Sequence, residues 1–213
     1  MKRILIATSN AGKLRDFTGA AVSHGVKIEG IPDFALLPPV IEDGHTFEHN
    51  ARKKAEQYSL AAPGEIVLAD DSGLEIDALS GAPGVYSARY AAEKPEQPGG
   101  NTDDEANNAR VLHELEGVPP DRRTGRFVCV IVAARNGRQL ASFRGTAEGR
   151  ILDHLSGKNG FGYDPMFFYP PIQRTFAELT PEEKAQHSHR GAAFRMFLEW
   201  IDNSEGVAET DAG

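Results

Sequence analysis

The apolar run Ile66-Val67-Leu68-Ala69 ends on two adjacent carboxylates, Asp70 and Asp71, which are followed by Ser72 and Gly73. It predicts a short buried strand over Glu65–Ala69 that stops at the acids, with a turn at Gly73. Acidic side chains at the carboxyl end of a strand lie along the edge where open α/β sheets place their ligands. Two of them can hold a hard cation or activate water. An ordinary Asp-rich turn is spelled the same way, so the pair takes its meaning from the rest of the chain.

Strand and helix signals alternate along the chain, which predicts layered α/β architecture. Residues 3–8 and 26–31 read as strands, and residues 12–23 read as a helix with Leu14, Phe17, Ala20 and Ala21 on one face. Residues 46–61 read as a second helix with Thr46 as its cap. Leu74–Leu79 alternates as a separate half-exposed strand would, and residues 81–90 form a rigid loop. Pro95–Gly100 reads as a mobile linker, after which Thr102 and Glu105 form a capping box for a helix reaching Glu116. Asn136-Gly137, between Thr124–Arg135 and Gln139–Thr146, is a strong hairpin signal and makes the sheet mixed. Thr180-Pro181 starts another helix. A last helix spans Ser188–Trp200, with Ala192, Met196, Phe197 and Trp200 facing the core.

Residues 1–201 are read as one domain, and the acidic, aperiodic stretch 202–213 as a disordered tail. The 213 residues suffice for a substantial core. A formal net charge of -8 argues against a nucleic-acid-coating protein. The basic-then-apolar start is too short for a signal peptide, and no apolar run is long enough to span a bilayer. The single cysteine, Cys129, excludes an internal disulfide and fits a buried thiol in a reducing, cytoplasmic setting.

Four segments carry chemistry. Thr8-Ser9-Asn10-Ala11-Gly12-Lys13 joins the first strand to the first helix, where backbone N–H groups, hydroxyls and a lysine favour phosphate. It lacks the Walker A pattern, and read alone it fits a capped turn with a solvated lysine equally well. Glu42 precedes the second helix, on which Asn50 and Lys54 share a face. His45 and His49 are also four apart but have no third soft ligand for zinc. Phe161-Gly162-Tyr163-Asp164 offers an aromatic face and a carboxylate for a base, or else a turn with core aromatics. Lys184, His189 and Arg190 cluster where two helices meet, as donors to a keto oxygen or phosphate, or as a solvated junction.

In this order, together with Gly81–Tyr90, these segments closely resemble the inosine/xanthosine triphosphate pyrophosphatases, which hydrolyse noncanonical purine nucleoside triphosphates. The resemblance covers roughly residues 3–201. It implies α/β/α layers around a long mixed β-sheet, two lobes with a central cleft, a homodimer and a requirement for Mg²⁺. It implies phosphate contacts from Thr8, Ser9, Asn10, Ala11, Gly12 and Lys13. Glu42 and Asp71 match the metal-binding acids, and Asp71 also matches the catalytic base. Ser72, Phe161, Gly162, Tyr163, Asp164, Lys184, His189 and Arg190 match base and substrate contacts. Asn50 and Lys54 match a helix facing the phosphates. Asp43, beside Glu42, stands where relatives often have a neutral residue, which leaves open which acid there binds metal.

The reaction implied converts dITP/ITP or dXTP/XTP and water into the nucleoside monophosphate and pyrophosphate. A 6-keto purine presents an acceptor and an N1–H donor where adenine presents an amine and a bare nitrogen, so donors near His189 and Arg190 would disfavour adenine. Two other classes have weaker support. A haloacid-dehalogenase-like phosphomonoesterase needs an Asp-x-Asp motif, whereas these Asp are adjacent. A non-catalytic purine nucleotide-binding protein has no use for Glu42, Asp70 and Asp71 together. No nucleic-acid or membrane partner is expected.

Overall fold

The computed structural model describes residues 2–21, 26–97 and 100–210. These form a seven-stranded sheet, strands β1 Lys2–Ile6, β2 Val26–Gly30, β3 Ile66–Ile76, β4 Thr124–Arg135, β5 Arg138–Ile151, β6 Phe167–Tyr169 and β7 Arg174–Thr175. The strand order is β2-β1-β3-β4-β5-β6-β7. β1 pairs in parallel with β2 and β3, and every later pairing is antiparallel. The helices are α1 Ala11–Ala21, α2 Phe47–Ser59, α3 Asp104–Glu114, α4 Pro181–His187 and α5 His189–Thr210. The expected mixed α/β sheet is therefore present.

The two-residue period of the strands sorts the core into layers. Ile4, Ile6, Leu68, Cys129 and Ile131 point to the side covered by Phe17 of α1 and by Phe194, Phe197 and Leu198 of α5. Leu5, Val67, Ala69, Val128, Val130 and Val132 point to the other side, onto Phe47, Ala51 and Ala55 of α2. A third core surrounds the far half of β3 and β4. There Leu74, Ile76 and Phe127 meet Val111 and Leu115, from α3 and its end, and Phe167 and Phe176. The cleft lies between this second lobe and the first two cores.

Local chemistry explains most element ends. Thr46 caps α2 by accepting from the His49 N–H, and Thr180 and Glu183 form a capping box on α4. Asn136 and Gly137 both adopt positive φ, 52° and 77°, as a two-residue primed turn requires. The α3 cap is Asp103, which accepts from Ala106 N–H, and not Thr102 as expected. Thr102 instead donates its hydroxyl to Asn107 Oδ1.

The α5 face is also shifted from the expected one. Ala193, Phe194 and Leu198 are buried with Phe197, while Met196 is exposed, because the helix lies with these residues against β4 and β5. No proline stops α5 after Trp200, and it continues to Thr210, carrying much of the stretch expected as a tail; residues 211–213 lie outside the described ones. So do residues 22–25, where the first helix was expected to end, and residues 98–99 of the expected linker.

The largest departure concerns the acid pair. β3 does not stop at Asp70-Asp71 and turn at Gly73; it runs unbroken to Ile76, paired with β4 from Val67↔Ala134 to Ile76↔Gly125. Residues 74–76 are thus its continuation, and not a separate strand. What ends is β1, whose pairing with β3 stops at Ile6↔Leu68 and whose chain gives a last hydrogen bond from Ala7 N–H to Leu68 O. The 82–87 loop takes over that edge at Leu74, whose N–H donates to Ser87 Oγ at 2.9 Å. The acids occupy the interval between these two covers.

Gly73 serves this handover. A Cβ there would lie 2.4 Å from Ser87 Oγ and 2.5 Å from the Gly84 carbonyl, so only glycine lets the loop approach. Gly73→Ala is expected to lower stability by about 1–3 kcal/mol through overpacking, read as a fall in the urea midpoint without a change in slope.

Candidate active site

The cleft has a volume of about 560 Å³, the size of a small-molecule site. Adjacent residues of a strand face opposite ways, so Asp70 and Asp71 enter it from opposite faces of the sheet. Asp70 shares a face with Ser72. Its carboxylate takes Lys13 Nζ from α1 at 3.1 and 3.0 Å, and the Arg190 guanidinium from α5 at 3.3–3.4 Å. Arg190 also donates to Ser72 Oγ at 2.9 Å. Asp70 and Arg190 are both only 2% exposed at the side chain. Burial works to raise the Asp70 carboxyl, but Lys13, Arg190 and Lys54 outweigh it and hold the group far below the usual carboxylate range. Asp70 is a permanently ionised anchor with its charge already matched.

Asp71 faces α2. Asn50 Nδ2 donates to its Oδ2 at 3.1 Å, and Lys54 Nζ stands 3.6 Å from its Oδ1. The same ammonium lies 3.0 Å from Glu42 Oε2. Asn50 also binds the acidic loop, accepting from Gly44 N–H at 2.8 Å, and so fixes Glu42's segment to α2. Burial pushes the Asp71 carboxyl up, Lys54 pulls it down, and the Glu42 charge adds to the rise, leaving a net upward shift. For Lys54, burial opposes the charge, but Asp71, Glu42 and Asp70 hold the ammonium above an ordinary lysine. The two faces thus differ in kind: one carboxylate is saturated with cations, while two others share a single lysine.

That shortage bears on metal binding. Glu42 and Asp71 approach one common cation, offer hard oxygens and have too little positive charge around them, which suits Mg²⁺ completed by water and phosphate oxygens. Among the described residues no group of three or more His, Cys, Asp or Glu forms a closed metal site, so these two acids are the ligands on offer. Asp43 turns away to Lys53 Nζ at 2.5 Å, and Asp70 is committed to Lys13 and Arg190. Cys129 is fully buried with its thiol pushed up by burial, which keeps it protonated and inert.

The other expected residues divide unevenly. Thr8, Ser9, Asn10 and Lys13 line the cleft, whereas Ala11 and Gly12 do not. Asn10 Oδ1 accepts from the Gly12 and Lys13 N–H groups, so it caps α1 and orients the loop. At the far end, Lys184 Nζ reaches Asp164 Oδ2 at 2.5 Å and lies 4.5 Å from the Phe161 ring centre. Phe161 N–H donates to the same Asp164 oxygen. Tyr163 is buried in the core, and its hydroxyl donates to the Ser87 carbonyl at 2.7 Å. Of the two aromatics in this segment, Phe161 is the partly exposed one.

His189 stacks on Phe127 at 4.7 Å between ring centres, in the cleft wall. Burial, then the Arg190 and Lys184 charges, hold its imidazole well below the ordinary histidine value, so it is neutral. Among the described residues its Nδ1 has no hydrogen-bond partner. A neutral imidazole with an open ring nitrogen can donate or accept, according to tautomer.

Arg89, whose role has no signal in the sequence, is buried and donates through Nε to the Pro95 carbonyl at 2.8 Å and through Nη2 to the Glu42 carbonyl at 3.4 Å. It ties the Glu42 loop to the segment after Tyr90. Phe34, Val40 and Tyr58 supply an apolar wall that was likewise unread. Their signal, an aromatic before and one within α2, does not separate a cleft wall from core.

Known proteins similar to this chain identify its family. The sequence profile of the Ham1 family matches residues 4–200. A dITP/XTP pyrophosphatase from Desulforamulus reducens is 48% identical over 203 residues, covering 94% of this chain and 96% of that protein. A second, from Geobacillus kaustophilus, is 45% identical and covers 99% and 100%. The solved structure of a HAM1 protein from Coxiella burnetii matches with a TM-score of 0.80 at 38% identity, over 95% of this chain and 100% of that one. A profile match across nearly the whole chain and relatives of matching length lead to one conclusion: this chain belongs to the Ham1 family.

Proposed function

We propose that this protein hydrolyses noncanonical purine nucleoside triphosphates, dITP/ITP and dXTP/XTP, to the monophosphate and pyrophosphate. The observation that carries the reading is the split acid pair: a cation-saturated Asp70 behind the phosphate-side loop, and an under-compensated Asp71 facing Glu42. Relatives named dITP/XTP pyrophosphatase supply the substrate class.

Each residue then has a task that follows from its position. Thr8, Ser9 and Lys13 line the side of the cleft where the α1 N-terminus favours phosphate. Lys13, kept in place by Asp70, neutralises the charge that grows on the departing pyrophosphate. Asp71, with its carboxyl raised, accepts the proton of the attacking water as the water oxygen bonds to the α-phosphorus. The bridging α–β P–O bond breaks, and its electron pair leaves with pyrophosphate. Glu42 and Asp71 would hold Mg²⁺, which when bound screens the phosphate oxygens and polarises the reacting phosphorus. Phe161 offers a stacking face and His189 a neutral ring nitrogen to a 6-keto purine. The homodimer implied by the resemblance and the cytoplasmic location expected from the single cysteine belong to the same reading. Among the described residues no helix is long and apolar enough to cross a membrane.

With Mg²⁺, the protein is expected to release pyrophosphate from ITP, dITP and XTP well ahead of ATP and GTP, and chelation to abolish turnover. Orthophosphate as first product would refute the reading. Light scattering is expected to give twice the mass of the chain. The acids should separate under substitution. Asp71→Asn is expected to cost about 10²–10⁴ in kcat, with melting temperature held or raised, since it removes a buried carboxylate short of positive charge. Asp70→Asn leaves the buried Arg190 and the part-buried Lys13 without their carboxylate and is expected to lose about 3–5 kcal/mol of stability. Equal effects on turnover and on melting would overturn the distinction between them.

A further inference from the structure

α3 makes an unusual grip on the aromatic segment of the cleft. Gly162, at φ 61°, has both of its backbone hydrogen-bonding groups taken by side chains one helical turn apart. Its N–H donates to Asp104 Oδ2 at 2.6 Å, and its carbonyl accepts from Asn108 Nδ2 at 3.1 Å. Asn108 is buried, and among the described residues its Oδ1 has no partner. A buried amide that leaves one end unsatisfied costs stability, so its other end has a use beyond packing. Asp104 is exposed and lines the cleft.

The grip acts on Phe161. Phe161 N–H is held by Asp164, and the next two peptides are held in turn by Asp104 and Asn108, so the ring's backbone is fixed on both sides. The ring is itself packed against Gly12 at the start of α1, where a Cβ would meet it at 3.1 Å, and against the Lys184 ammonium. Asn107, the neighbour of Asn108, accepts from Ala91 N–H and Thr102 Oγ1 and so ties the loop after Tyr90 to the same helix. One turn of α3 therefore holds two walls of the cleft.

We infer that Asp104 and Asn108 are positioning residues for purine selectivity, pre-setting the Phe161 ring through the Gly162 peptide. The inference rests on the proposed function, in which Phe161 faces the base. The clamp lies away from the acids that perform the chemistry, so its loss weakens binding of the base and leaves the chemical step alone.

The test compares Asp104→Ala, Asp104→Asn and Asn108→Ala with the parent. It uses steady-state kinetics on ITP and GTP and, independently of turnover, ITP affinity by calorimetry. Asp104→Ala and Asn108→Ala are expected to raise KM and Kd for ITP about three- to tenfold, the worth of one hydrogen bond, with kcat within about twofold and a smaller ITP-over-GTP ratio. Asp104→Asn keeps an oxygen for the Gly162 N–H and should stay near the parent.

If Asp104→Asn matches Asp104→Ala, the effect is one of charge in the cleft and the clamp is refuted. Unchanged KM, Kd and selectivity in both alanine variants, or a fall in kcat alone, refute it too. A parent that binds ITP without releasing pyrophosphate would defeat the proposed function and still leave the clamp readable in Kd. A parent that does not bind ITP would overturn both.

Discussion

The site depends on one geometrical fact about β3, a strand with different neighbours along one of its edges. β1 covers that edge as far as Leu68, and the 82–87 loop covers it again from Leu74. Between them the pleat sends Asp70 and Asp71 to opposite faces, toward α1 and α5 on one side and α2 on the other. Neighbours in sequence thus enter different electrostatic surroundings within a single residue step. No turn could hold them so firmly apart, because the antiparallel pairing with β4 continues through both.

The two surroundings use opposite electrostatic devices. On the Asp70 face, the buried Arg190, the part-buried Lys13 and one carboxylate satisfy each other, giving a rigid cluster that joins β3, α1 and α5. A buried pair of this sort contributes little net stability but is costly to break from one side. On the Asp71 face, Glu42 and Asp71 share the single ammonium of Lys54. In the proposed function that face would take the further cation and the proton that phosphoanhydride hydrolysis requires.

Much of the frame was legible from local chemistry. The Asn136-Gly137 hairpin, the Thr46 cap and the Thr180-Pro181 helix start need only their own few residues, so they are legible in the sequence. The α3 cap slipped by one residue because Thr102, Asp103 and Glu105 present competing caps that only the Asn107 contact decides. The face of α5 was misjudged at Met196 because an apolar residue at helical spacing fits more than one stripe. Most site residues were named from the resemblance, whose motifs gather along one cleft. Arg89 and Asn108 carry no local signal because Arg89 reaches the Glu42 carbonyl and Asn108 the Gly162 carbonyl, each far away in sequence.

The sequence by itself determined which groups are available: the acids, the phosphate-side loop, the aromatic segment and the basic helix junction, in an order resembling one enzyme family. It could not distinguish a strand that ends at Asp70 from one that passes through it. A run of apolar residues followed by Asp-Asp-Ser-Gly reads as a strand and a turn when only local preferences are counted. Only the tertiary structure decided for the continuous strand, since β4 pairs along its whole length and Gly73 admits the 82–87 loop. With that decision came the separation of Asp70 from Asp71, because a side chain's face is fixed by the register of the sheet it joins.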